Sequence, residues 1–270
     1  MKKIIVTAVI ILSLVAVVLG KLHWDDKIAA SATSTSNEKT NIKVEPTNEE
    51  SGKELKLKEI QGLAKNLPED IQSKFSSAVE NGKPLHLVIA GSSATPEEPA
   101  GWPSLLKEEL EHTYGTDILK VTIKEIPDKT SSEVVQEGLY QEITDLSPDV
   151  LLFEPFILHD NGRVRFEERL VNITTILDDV RETLPNVSIL LQPANPLHRA
   201  IYYPKEVEQF QQFAAENNYT YLNHWEAWPD HQTDAIAEFL LKGGTPNEKG
   251  QALWADYLVN YFISTPQSND

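Results

Sequence analysis

Any chemistry in this chain must come from oxygen, nitrogen and imidazole groups, because its 270 residues contain no cysteine. Disulfides, thiolate nucleophiles, thiolate metal sites and a lipid-modified cysteine are thereby excluded. The first candidate is Ser93, which ends the triplet Gly91-Ser92-Ser93 after the apolar run "LHLVIA". A serine at such a place is either a nucleophile or the cap of the next helix. Pro96, Pro99 and Pro103 follow it, which moves the helix start to Gly101 or Trp102 and disfavours the cap. A serine hydroxyl is a poor nucleophile until an adjacent base removes its proton. His159, His198, His224 and His231 all follow apolar runs, whereas His86 lies within one and His112 within a helical stretch, so the last two read as structural. His224, ahead of Glu226, is the first candidate base and His159, beside Asp160, the second. Packing of His224 beside Trp225 and Trp228 is the competing reading. Glu154 and Asp160 resemble a glycosidase pair in type only, since both belong to one short segment and no second acid stands opposite. GxGxxG, GxxxxGK[ST] and HExxH patterns are absent, so no cofactor and no metal is expected.

The elements that must position these residues follow a regular alternation. Apolar runs "LHLVIAG", "ILKVTIKEI", "DVLLFEPF", "VSILLQP" and "TYLNHW" are separated by stretches of helical period, Pro103–Thr113, Ser131–Leu146, Phe166–Leu184 and Pro204–Asn217. A last amphipathic helix runs from Glu248 to Ile263, and an earlier pair fills Leu55 to Asn81. Strands alternating with helices imply right-handed parallel crossovers. The expected fold class is α/β, a three-layer α/β/α sandwich on a flavodoxin-like five-stranded parallel sheet. Ligands of such sheets sit beyond the carboxyl ends of the strands. Gly91 to Ser93, Glu154 to Asn161, Pro193 to His198 and His224 to Trp228 all fall on that edge.

The remainder of the chain sets the context. Residues 1–24 read as a membrane anchor or signal segment: Lys2 and Lys3 precede an apolar run from Ile4 to Gly20 that is long enough to span a bilayer. No small-residue cleavage site follows closely, so the reading is an uncleaved single-pass anchor with the domain outside the cell membrane, or a secreted protein if the segment is cut. Residues 25–53 are rich in Ser, Thr, Asn and Glu and read as a disordered tether, leaving 54–270 as the domain. The formal net charge of −17 argues against nucleic acid as a partner.

Taken in order, "AGSSA", "PDVLLFEPFILHDNG", "LLQPANP" and "TPNEKGQALWADYL" resemble the blocks of the SGNH/GDSL hydrolases, a family of esterases and acyl hydrolases. The resemblance spans about Pro84 to Phe262 and is nearest to membrane-anchored or secreted Gram-positive members. It implies Ser93 as nucleophile, although Ser92 stands where the family has Asp. It implies oxyanion donors at Ser93, at Asp128 (or Lys129) where a glycine is usual, and at His159 where an asparagine is usual. The family's Asp-x-x-His falls on Lys242-Gly243-Gly244-Thr245, so both of its catalytic partners are missing. Trp102, Asp160, Asn195 and Trp225 are the expected substrate-binding residues, although packing of the edge-loop aromatics onto the core is the competing reading. The expectation is an extracytoplasmic ester hydrolase or acyltransferase whose partner is a small ester or acylated envelope glycan. The alternative is a non-catalytic module binding a glycan or acyl group.

Overall fold

A computed structural model describes residues 48–264, which belong to a unit running from Thr47 to Asp270. The expected anchor and most of the tether lie outside the described residues. No described helix is long and apolar enough to cross a membrane.

Five strands form one parallel sheet: β1 (Leu85–Gly91), β2 (Leu119–Glu125), β3 (Val150–Glu154), β4 (Ser188–Leu191) and β5 (Thr220–Tyr221), in the order β2-β1-β3-β4-β5. That order reverses direction between β1 and β3, where a doubly wound sheet opens a crevice. Alternation along the strands builds the two cores. Leu87 and Ile89 of β1, with Val150 and Leu152 of β3, face one core, while Val88, Ala90, Leu151 and Phe153 face the other. Because the central strands are buried on both faces, they read in sequence as unbroken apolar runs.

Helices α1 (Asn48–Leu63), α2 (Glu69–Asn81), α3 (Trp102–Tyr114) and the last helix, α9 (Glu248–Phe262), supply the first core through Ile60, Phe75, Leu106 and Trp254. On the other face lie α4 (Ser131–Glu137), α5 (Gln141–Asp145), α7 (Phe166–Thr183) and α8 (Tyr203–Glu216), through Val134, Ile143, Ile176 and Phe210. A single turn, α6 (Ile157–Asp160), follows β3.

Two boundaries differ from the periodicity. The helical stretch Ser131–Leu146 is two helices, because Gly138 takes a left-handed φ of 67° and ends α4. Helix α1 begins at Asn48, inside the stretch read as tether. Its later residue Ile60 is buried, and a helix docked there extends back through good helix formers such as Lys53 and Glu54. Gly101 is the N-cap of α3, with Pro103 in its first turn, so Ser93 caps nothing.

Candidate active site

At the crevice, Gly91 ends β1 and pairs with Glu154 at the end of β3. The two backbones are so close that a Cβ on Gly91 would lie 2.3 Å from Thr95 Oγ1 and 2.6 Å from the Glu154 carbonyl oxygen. Glu154 is fully buried, and its Oε2 collects three hydrogen bonds from the turn that follows Gly91. Ser92 donates its N–H (3.0 Å) and its hydroxyl (2.7 Å), and Thr95 donates its hydroxyl (3.2 Å). Ser92 Oγ in turn accepts the Ala94 N–H at 3.1 Å. The residue where the resemblance has Asp is thus a clamp, and the turn is held from beneath with Ser93 exposed at its tip. Burial pushes the Glu154 carboxyl up to about 8, against the pull of those three donors. In sequence Glu154 reads only as a glycosidase acid; the signal for this role is an acidic residue ending a central strand beside Gly-Ser-Ser.

Ser93 Oγ accepts the backbone N–H of Asp128 at 3.0 Å. The glycine expected at this place is absent, yet Asp128 adopts φ 57°, the left-handed conformation that glycine would take freely and that Asp tolerates. Just beyond it, Thr130 and Glu133 form a reciprocal capping box at the start of α4, which fixes the approach of this segment.

The cleft over Ser93 encloses about 470 Å³ and is lined, among others, by Ser92, Ser93, His159, Arg163, Asn195 and Thr245. His159 projects from α6, and its Nε2 accepts a hydrogen bond from Arg163 Nη1 at 2.9 Å. Because a guanidinium can only donate, the imidazole here is neutral, with its proton on Nδ1. Asn195 is buried in the cleft wall. It donates to Gly244 O at 2.9 Å and to Pro196 O at 3.0 Å, pinning the loop that carries Thr245. Thr245 lines the cleft, whereas Lys242 is exposed and outside the lining residues.

Four expectations are corrected by this geometry. His224 is not the base: it is fully buried, stacked on Trp254 at 4.1 Å between ring centroids. Its Nδ1 accepts from Trp228 Nε1 at 3.0 Å and its Nε2 donates to Pro193 O at 2.9 Å, so no lone pair is left for Ser93. Burial pulls its pKa down to about 3. Trp102 is not a cleft aromatic; it is buried, stacked on Trp254 at 4.6 Å, and its indole N–H bonds Ala94 O at 2.8 Å. Trp225 is half-buried against Tyr203, with its indole N–H on Ala194 O at 2.7 Å. Asp160 is fully buried and accepts the Ser131 N–H at 2.8 Å, tying α6 to the start of α4 instead of facing a substrate. Burial raises its pKa. In each case the polar atom is used to tie neighbouring segments together, since a buried polar group without a partner is costly. Among the described residues no group of three His, Asp or Glu side chains is placed to hold a metal ion.

No protein-family model and no curated protein matches the chain. Solved structures do. A protein described as lipolytic and of the G-D-S-L family, from Desulfitobacterium hafniense, superposes with a TM-score of 0.53 at 17% identity, covering 65% of this chain and 98% of that one. An acetyl-xylooligosaccharide esterase from Geobacillus superposes at 0.55 with 14% identity, covering 70% and 98%. A psychrotrophic esterase from Pseudoalteromonas gives 0.51 at 17% identity, covering 65% and 95%. With its strand order, its crevice between β1 and β3 and these superpositions, the domain has the SGNH/GDSL hydrolase fold.

Proposed function

We propose that the domain is an ester hydrolase or acyltransferase with Ser93 as its nucleophile, working outside the cytoplasm on a cell-envelope or carbohydrate ester. One observation carries the reading: an exposed serine hydroxyl, held at the tip of a turn clamped by Glu154, faces a cleft with the Asp128 N–H 3.0 Å from its oxygen. The esterase and lipolytic descriptions of the superposed proteins support ester chemistry. The Ile4–Gly20 run supports an extracytoplasmic site.

His159 is the imidazole that shares the cleft with Ser93. In the proposed reaction it takes the Ser93 proton as Oγ bonds to the ester carbonyl carbon. The carbonyl electron pair moves onto oxygen, where the Asp128 N–H receives it. Collapse expels the alcohol, which leaves with the proton from His159, and water or a second alcohol then attacks the acyl-serine by the same route.

Turnover of a small activated ester by the full chain and by Ser93→Ala tests this. Wild-type turnover lost in the variant is expected. Equal residual rates would remove the nucleophile and favour the second reading, a glycan- or acyl-binding module, which Lys242 and Thr245 at the places of the family's Asp and His support.

A further inference from the structure

Arg163 stands apart from the other arginines of the domain. Arg165 pairs with Glu167 at 3.7 Å, Arg169 with Glu206 at 2.6 Å and Arg199 with Asp234 at 3.0 Å, while Arg181 lies 4.1 Å over the Tyr219 ring. Arg163 is exposed, lines the cleft with Ser93, and among the described residues has no carboxylate partner. Carboxylates are in excess in a chain of net charge −17, and Glu98 lines the same cleft, yet the guanidinium makes its hydrogen bond to a neutral imidazole instead. A neutral imidazole offers a guanidinium one uncharged acceptor, whereas a carboxylate or phosphate offers it charged oxygens in a two-pronged geometry.

We infer that Arg163 is the binding site for a negatively charged group on the substrate, so that the cleft selects anionic esters. The inference rests on the hydrolase reading for its reaction but not for its binding. It also accounts for a site whose candidate base is blocked. While Arg163 donates to His159 Nε2, that lone pair is unavailable to Ser93. An anion that draws the guanidinium away frees Nε2, and His159, already protonated on Nδ1, can then accept the serine proton to become imidazolium. Binding of the correct substrate thus completes the base, which is specificity by induced fit.

Two arms of one experiment locate the charge. For the acyl side, the full chain is given 4-nitrophenyl hemisuccinate and 4-nitrophenyl butyrate; for the alcohol side, 4-acetoxybenzoate and phenyl acetate. In one arm the anionic ester is expected to have a kcat/KM about tenfold higher than its neutral counterpart. Arg163→Ala should remove that preference, with Arg163→Lys retaining part of it. Equal rates for charged and neutral esters in both arms, or a preference that survives Arg163→Ala, would overturn the inference. Binding to Ser93→Ala separates this from the hydrolase reading. Calorimetry should show monomethyl succinate or 4-acetoxybenzoate binding more tightly than methyl butyrate or phenyl acetate, and Arg163→Ala in the same background should abolish the difference. Anion-selective binding without turnover would sink the hydrolase and keep the anion site. Turnover without selectivity would do the reverse.

Discussion

Glu154→Gln separates the two forces acting on the carboxylate beneath Ser93. The amide oxygen can take the place of Oε2 and keep the Ser92 and Thr95 donors, but the side chain no longer titrates. In the folded protein burial raises the carboxyl from 4.5 to about 8, so the native state binds a proton that the unfolded chain has released. The stabilising contribution of that proton is therefore complete below about pH 4.5, falls as pH rises through the window from 4.5 to about 8, and is gone above it. Each pH unit inside the window removes about 1.4 kcal/mol, a loss on the order of 5 kcal/mol over the whole of it. His224 acts in the opposite sense. Its pKa is depressed to about 3, so its contribution is lost as pH falls below 6.5, and in wild type the two slopes partly cancel between 4.5 and 6.5. The difference between variant and wild type removes the histidine from the comparison. Urea unfolding followed by tryptophan emission, from pH 5 to 8.5, should show Glu154→Gln gaining on wild type steadily until about pH 8. Parallel curves across that range would refute the claim that Glu154 is protonated in the folded state near neutrality.

Gly91→Ala should cost more than 3 kcal/mol or prevent folding, because its Cβ would overlap Thr95 Oγ1 and the Glu154 carbonyl; a urea midpoint within error of wild type would count against the close approach. Asp128→Gly keeps the N–H beside Ser93 and relieves the left-handed backbone, so stability should change by no more than about 1 kcal/mol and ester turnover should persist; loss of turnover would show that the carboxylate itself takes part. His224→Ala removes the stack on Trp254 and leaves Trp228 Nε1 and Pro193 O without partners, an expected loss of about 3 kcal/mol with unchanged kcat per folded molecule. A fall in kcat of several orders of magnitude at full folding would reinstate His224 as the base. The proposal that residues 1–24 are an uncleaved anchor is checked by sequencing the mature protein, where a terminus near Ala32 would identify a cleaved signal.

The sheet was legible because its information is local. Strands buried on both faces need continuous apolar runs, helices that cover a sheet need apolar residues at helical spacing, and the runs and spacings in this chain correspond to all five strands and to the helices between them. What periodicity missed was set by single residues. Gly138 splits one helix in two, and the docking of Ile60 extends another back to Asn48.

The site was legible only where position along the strand decides the outcome. Ser93 and His159 share the cleft because each follows the end of a strand flanking the crevice, and no property of their side chains was needed to place them there. His224, Trp102, Trp225 and Asp160 also sit in strand-end or edge-loop segments, yet they turn inward, because their roles depend on partners far away in sequence. The Trp254 ring stacked on His224 comes from the last helix, and the Ser131 N–H that holds Asp160 begins α4. A motif position fixes which element carries a residue, whereas the direction of its side chain is fixed by the hydrogen-bond debts of the interior. Three of those four carry a ring N–H that the fold satisfies with a loop carbonyl, and an imidazole or indole reaches back to such a carbonyl more readily than it reaches out to a ligand. By the same reasoning Arg163, the arginine of the cleft that no interior carboxylate claims, is the residue with capacity left for a substrate.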